Sequence, residues 1–289
     1  MRGFRSYHPV VNFTYFAVVI LLSVCLMHPV CLGLSLVCSM IYAVLLKGQK
    51  AMRFFLWMLP VPMTAILINP IFNHKGVTVL GHFPGGNPFT LESAVYGAAA
   101  AAMLLAVLGW FFCWNEIMTG EKLVYLFGRI TPGLALVFSM TLGFVPRFRR
   151  QMQITVRAQQ GIEGAVSGGS VAERGKRGVQ LFSMLVTWAL ENAVETADSM
   201  RSRGYGLPGR STFSVFRFET RDGLVLAGLV GCSLFIGGMC LFGNVDWQYF
   251  PDAAFALWGW RSISLFAAYF LLCMLPVLIE IREVLRWTA

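Results

Sequence analysis

The chain has 289 residues, of which 57% are hydrophobic and 13% charged, and it carries a net charge of +9. An ordinary soluble domain has about 25% charged residues, so this chain has too few to coat a water-facing globule, and lipid is the better solvent for its apolar surface. In such a chain the positive excess reports first on topology and on attraction to anionic lipid. No basic run alternates with aromatics in a polar domain, so nucleic acid is not an expected partner.

A transmembrane helix needs about 17 to 25 mostly apolar residues. Met1 to Pro9 is basic, and the apolar run after it has no small-x-small cleavage site before His28-Pro29. That run, Val10–Met27, is therefore expected to be a retained span rather than a signal peptide. Val30–Leu46 follows across the tight His28-Pro29 joint and completes a hairpin. Phe54–Phe72 is interrupted by Pro60, Pro62 and Pro70; each proline removes a backbone donor, so a kinked or partly re-entrant span is expected. Ser93–Trp114, Gly223–Gly243 and Ser262–Ile279 complete six crossings. Pro132–Val145 is apolar but too short for a comfortable crossing, and Pro146-Arg147-Phe148-Arg149-Arg150 follows at once.

Lys and Arg collect in cytoplasmic loops. Arg2 and Arg5, then Lys47, Lys50 and Arg53, then Arg282 and Arg286 place both termini and the second loop inside. Fourteen of the 23 basic residues lie between Lys122 and Arg221, which puts that whole segment inside as well. The Asn73–Pro88 loop, with only Lys75, and Tyr249–Trp260 fall outside. Six crossings satisfy all of these, and a seventh through Pro132–Val145 breaks the pattern. The chain divides accordingly into residues 1–114 with four spans, a cytoplasmic segment 115–221, and residues 222–289 with two spans. Gly223, Ala227 and Gly231, and also Gly97 and Ala101, are spaced four apart, which lets helix backbones approach closely; packing within the chain is the expected use.

The cytoplasmic segment keeps apolar residues at helical spacing. Phe182, Leu185, Val186, Ala189, Ala193, Ala197 and Met200 form one stripe at steps of three and four. Glu191, Glu195 and Asp198 form a second, read as a solvated face with an Asp198–Arg201 pair. Gly204-Tyr205-Gly206-Leu207-Pro208-Gly209 then stops the helix. Arg201 and Arg203 thus fall in its last turn, where positive charge complements the carbonyl end of the helix dipole and where a guanidinium fork could reach a partner's groove between the small Ser202 and Gly204. A similar helix, Phe144 to Gln160, carries Arg147, Arg149, Arg150 and Arg157 and stops at Gly161. Gly161–Gly178 reads as a flexible linker.

Catalytic and metal-binding signatures are missing. There is no G-x-x-x-x-G-K-[S/T] loop and no H-E-x-x-H. The seven cysteines sit in apolar stretches without a C-x-x-C pair and read as small apolar residues,. The four histidines are scattered. Glu92 is placed at a helix start and Glu280 at a helix end, so no mid-span carboxylate marks an ion route. No metal or cofactor is expected.

The stretch Trp188-Ala-Leu-Glu-Asn-Ala-Val-Glu-Thr-Ala-Asp-Ser-Met-Arg-Ser-Arg-Gly-Tyr-Gly206 resembles the signature of the transmembrane T component of energy-coupling factor (ECF) transporters, a family that includes the cobalt-transport subunit CbiQ. Phe144-Val-Pro-Arg147 is similar to the family's segment leading into its first coupling helix. The resemblance implies an all-α, polytopic membrane helical bundle of about six spans with a cytoplasmic pair of long coupling helices. It further implies a scaffold without catalysis, in the bacterial cytoplasmic membrane, that couples two ABC-type ATPase subunits to a membrane-embedded, substrate-binding S component for uptake of a vitamin or metal ion. Ser202, Arg203 and Gly204, with Arg201, match the second coupling motif. The first usually reads Ala-Gln-x-Ala-Arg-Gly, whereas here Arg157-Ala158-Gln159-Gln160-Gly161 puts the arginine before the Ala-Gln pair, and Arg157 with Ala158 stands in for it. Phe182, Leu185, Ala189, Ala193, Ala197 and Met200 are the face expected against the S component or a sister coupling helix. From the residues alone, a polytopic enzyme acting on lipid and an autonomous secondary transporter are the alternatives. The first needs a polar catalytic cluster near one interface, and the second inverted repeats with matching broken helices.

Overall fold

The computed structural model describes residues 3–73, 76–82, 88–128, 132–163, 171–207, 216–242, 249 and 259–288. The chain forms two compact units, one of residues 1–119 with 216–289 and the other of residues 120–215.

The first unit holds the apolar helices α1 (Pro9–Cys25), α2 (Pro29–Lys47), α3 (Gln49–Met58), α4 (Pro60–Phe72), α5 (Leu91–Ile117), α9 (Thr220–Leu241) and α10 (Trp260–Thr288). Five helical stretches are long and apolar enough to cross a membrane (Pro29–Lys47, Gln49–Phe72, Leu91–Ile117, Thr220–Leu241 and Trp260–Leu285), and Pro9–Cys25 is a shorter apolar helix. The five fall at the positions of five of the six expected spans, Pro9–Cys25 falls at the position of the first, and the chain is a multi-pass helical membrane protein.

The first two starts share one device. His8 and His28 are N-caps, each accepting through Nδ1 from the N–H two residues on, Val10 at 3.3 Å and Val30 at 3.2 Å. A proline at the first helical position follows each, where its missing N–H costs nothing,. The third span is interrupted only at Leu59, and Pro62 and Pro70 lie inside α4. Pro60 starts α4 directly after Leu59, which keeps helical dihedrals, φ −54° and ψ −37°. The loop after α4 contains a hairpin that the sequence reading does not anticipate, β1 (Val79–His82) antiparallel to β2 (Pro88–Thr90). It is tied down by Glu92, which accepts from the Thr78 N–H at 3.0 Å and its hydroxyl at 2.7 Å.

Between lipid-immersed helices there is no hydrophobic drive to associate, so close packing and hydrogen bonds must hold them. Gly109 permits one close approach: a Cβ there would lie 2.7 Å from Ser39 Oγ and 2.9 Å from Phe55 Cζ. Gly97 permits another, against the Ile66 backbone at 3.4 Å. Four buried side chains form a network across α1, α2, α5 and α10. The Ser23 and Ser35 hydroxyls meet at 2.7 Å, Ser23 meets the Tyr269 hydroxyl at 2.9 Å, and Trp110 Nε1 donates to Ser35 Oγ at 2.9 Å. Gly231 departs from the expectation of packing within the chain. Among the described residues nothing lies within 4 Å of a Cβ built there or at Gly228, Gly237 or Gly238, and only 11% of the apolar window of α9 is buried, against 39% for α2 and α10.

A polar clasp fastens one end of this unit. Phe4 donates its N–H to Glu280 at 3.1 Å. Asp222, 2% exposed, accepts from the His8 N–H at 3.4 Å and from the Glu219 N–H at 3.0 Å, and with Glu219 it makes a reciprocal capping box at the start of α9. Arg221 pairs with Glu219 at 2.9 Å and lies over the Tyr7 ring at 5.1 Å. Glu280 is therefore not at a helix end as expected. It lies inside α10, which runs on for about two turns to Thr288,.

The second unit contains α6 (Gly120–Gly128), α7 (Pro132–Glu163) and α8 (Val171–Ser202). The apolar segment Pro132–Val145 and the basic helix after it prove to be one helix, with Pro146 inside it. The expected linker at Gly161–Gly178 is also corrected. Gly161 lies inside α7, while Gly175 and Gly178 lie inside α8; residues 164–170 lie outside the described set. An internal glycine costs a helix about 1 kcal/mol, which long helices rich in Ala, Arg, Glu and Gln can bear.

Candidate docking site on the helical pair

The end of α8 carries the Ser202-Arg203-Gly204 motif, and its geometry follows from one residue. Gly204 has φ +77°, a left-handed conformation that costs an L-residue about 1–2 kcal/mol. It lets the chain turn so that Tyr205 donates to the Met200 carbonyl and Gly204 to the Arg201 carbonyl, both at 3.0 Å. This 6→1 and 5→2 pair is the Schellman closure, which satisfies carbonyls otherwise left open at a helix C-terminus. The Ser202 hydroxyl donates to the Ser199 carbonyl at 2.9 Å, and Arg203 donates its N–H to the same carbonyl at 3.3 Å. The backbone and the serine are thus occupied internally.

The arginines are not. Arg201 and Arg203 are exposed, and among the described residues neither has an ion pair. The expected Asp198–Arg201 pair does not form. Two exposed guanidinium groups with no ion pair among the described residues stand at a turn whose backbone is fixed, an arrangement suited to carboxylates or carbonyls of a partner,.

The upstream motif is built differently. Arg157 and Ala158 are exposed, but they sit inside α7, which continues past Gly161 to Glu163. Gly161 is not among the glycines with positive φ. The first motif therefore lies along a helix flank, and the expected likeness of two glycine-stopped ends does not hold.

The pair α7 and α8 is joined by Phe144 and Trp188, whose rings stack at 5.7 Å and 25°. Beside them runs a groove of about 670 Å³, bordered on α7 by Ser139 and Phe144 and on α8 by Ala189, Ala193, Ala197 and Met200. Four of the six residues expected on the packing face thus border the groove between the two helices, Ala193 and Ala197 remaining exposed. Leu185 is buried but does not border the groove, while Phe182 is 66% exposed. Phe182 belongs instead to a second stripe that the sequence reading does not separate. Val179, Phe182, Val186, Leu190 and Val194 recur at steps of three and four and are all exposed, which marks one apolar helix face. The acidic stripe Glu191, Glu195 and Asp198 is exposed, and among the described residues no group of side chains could hold a metal ion.

No family model matches the chain. Curated relatives do: it is 30% identical over 121 residues to the energy-coupling factor transporter transmembrane protein EcfT of Brevibacillus brevis, covering 40% of this chain and 46% of that one. The EcfT of Macrococcus caseolyticus is 32% identical over 104 residues, 36% of this chain and 39% of the relative, and that of Bacillus selenitireducens 32% over 111 residues, 37% and 41%. The chain is similar to EcfT, the transmembrane protein of energy-coupling factor transporters. Each match spans less than half the length of the EcfT relative concerned. The resemblance read from Trp188–Gly206 and the likeness to EcfT agree with each other and with a helical membrane bundle.

Proposed function

We propose that the chain is the non-catalytic transmembrane coupling subunit of an ECF-type ABC importer in the bacterial cytoplasmic membrane, with both termini inside. Residues 115–221 act as the coupling domain between the membrane regions 1–114 and 222–289. The Ser202-Arg203-Gly204 turn, with Arg201, docks into a groove of one cytoplasmic ATPase subunit, and Arg157 with Ala158 engages the second. The paired helices receive a membrane-embedded S component that brings a vitamin or a metal ion. ATP binding and hydrolysis belong to the ATPases, whose closure moves the helical pair and reorients the S component.

The observation that supports this best is the closed turn at Gly204 with two exposed arginines on it. A helix end needs the glycine, but it does not need Arg203 held exposed with no ion pair among the described residues. Co-purification of the ATPases with wild type, Arg203→Lys and Arg203→Glu, alongside substrate uptake, tests the reading. Charge reversal is expected to abolish both capture and uptake, with the lysine variant intermediate. ATPase capture and uptake unchanged by Arg203→Glu would sink the docking role.

A further inference from the structure

The short helix α3 carries a feature that coupling does not use. Its inner side is set by Ala51 and Phe55, both buried in the bundle. On the opposite side Lys50, Arg53 and Trp57 follow at i, i+3 and i+7, so they share one face. Lys50 and Arg53 are exposed, and Trp57 is 80% exposed. The neighbouring Lys47 is neutralised by Glu116 at 2.6 Å. For Lys50 and Arg53 there is no ion pair among the described residues, and α3 contains no acid of its own.

Length arithmetic sets the depth of this face. Helix α4 has 13 residues, which at 1.5 Å each rise only about 20 Å, short of the roughly 30 Å hydrocarbon core. Leu59 keeps helical dihedrals, so α3 extends the crossing. Counting back from Phe72, about 30 Å of rise ends at Arg53. Arg53 then lies at the hydrocarbon boundary, Lys50 about one turn farther out among headgroups, and Trp57 about one turn inside, at the level where tryptophan rings anchor.

We propose that Lys50, Arg53 and Trp57 form a site for the headgroup of an anionic phospholipid such as phosphatidylglycerol. The guanidinium of Arg53 takes the phosphate with paired N–H donors, and Lys50 adds a second positive charge. Trp57 lies against the glycerol and upper acyl region with Met52 and Leu56, 57% and 64% exposed. A soluble phosphate would use the two cations but leave this exposed apolar side uncovered. The assignment stands on the membrane architecture alone and does not depend on the coupling role.

The full chain, purified in detergent and titrated with phosphatidylglycerol or phosphatidylcholine, is examined by native mass spectrometry. Wild type is expected to retain one more phosphatidylglycerol than a Lys50→Gln/Arg53→Gln variant, and both to retain phosphatidylcholine equally. Each cation removed is expected to weaken retention about fivefold. Arg53→Lys should recover part of the loss, and unchanged circular dichroism should show that these exposed substitutions leave the fold intact. Equal phosphatidylglycerol retention by wild type and double variant overturns the site and leaves the face to a protein partner. Displacement of the lipid by millimolar inorganic phosphate overturns the lipid assignment in favour of a soluble anion.

Discussion

Truncating Asp222 to alanine tests the clasp that joins the N-terminal segment to α9. Two terms set the magnitude. Loss of one half of the capping box at an exposed helix start costs about 1 kcal/mol. The His8 N–H, in a buried setting, is then left without its acceptor, a penalty of about 1–3 kcal/mol. The original bond is long at 3.4 Å, so the low end applies, and the sum is about 2 kcal/mol. Asp222→Asn keeps one acceptor oxygen and is expected to lose about half of this. Glu219→Ala removes the N-cap half of the same box and a pair with Arg221 in which the two side chains are 59% and 44% exposed, so it should cost about 1 kcal/mol, nearly all from the cap. Reversible unfolding in mixed micelles of rising dodecyl sulfate content, followed by circular dichroism, measures all three. A loss below about 0.5 kcal/mol for Asp222→Ala would refute the clasp, since neither term could then be operating.

Gly204→Ala places an L-residue at φ +77° and should destabilise the last turn of α8 by about 1–2 kcal/mol; faster amide exchange at Gly204's neighbours Arg203 and Tyr205 is expected, with Gly204→Asn milder, and unchanged exchange would contradict the closure. His28 should make stability fall with acid. Burial lowers its pKa below the ordinary value, and its Nδ1 must stay unprotonated to accept from Val30. The unfolded chain therefore takes up the proton first, near pH 6.5. Stability is flat above about pH 7, declines as pH drops through about 6.5, and levels off once the folded state also protonates. Wild type compared with His28→Asn, a capping residue that does not titrate, isolates this slope, and parallel pH profiles would exclude it.

Much of the architecture is legible in the residues. The apolar helices stand out because runs of about 17 to 25 mostly apolar residues have few alternatives, and the interruption before Pro60 and the stop at Gly204 follow from single residues with strong backbone preferences. At Gly161–Gly178 local breakers suggest a linker where the structure has helix at both ends. Gly161, Gly175 and Gly178 each cost a helix about 1 kcal/mol, and the residues around them are good helix formers, so α7 and α8 run through. The clasp could not be read locally. Phe4, Asp222 and Glu280 are brought together only by the packed bundle, and no periodicity links them. At the candidate site, Ser202, Arg203 and Gly204 were visible from helix-stop logic, and the groove-facing Ala189, Ala193 and Ala197 from the helical period. Phe182 and Val186 of the second stripe share the period of the first and fall in with it at the level of sequence, because two apolar faces on one helix require contacts to tell apart.

Pro146 gives α7 a mechanical character beyond its length. Its ring nitrogen carries no hydrogen, so the Leu142 carbonyl loses its partner four residues on, near the point where the apolar half of the helix gives way to the arginine-rich half. A rod with one missing rung is most compliant at that rung. A lateral load applied at the Arg157 end bends α7 there first and leaves the apolar segment before it nearly undisturbed. The helix is in that sense a beam with a built-in flexure, and the place of the flexure is fixed by a single residue.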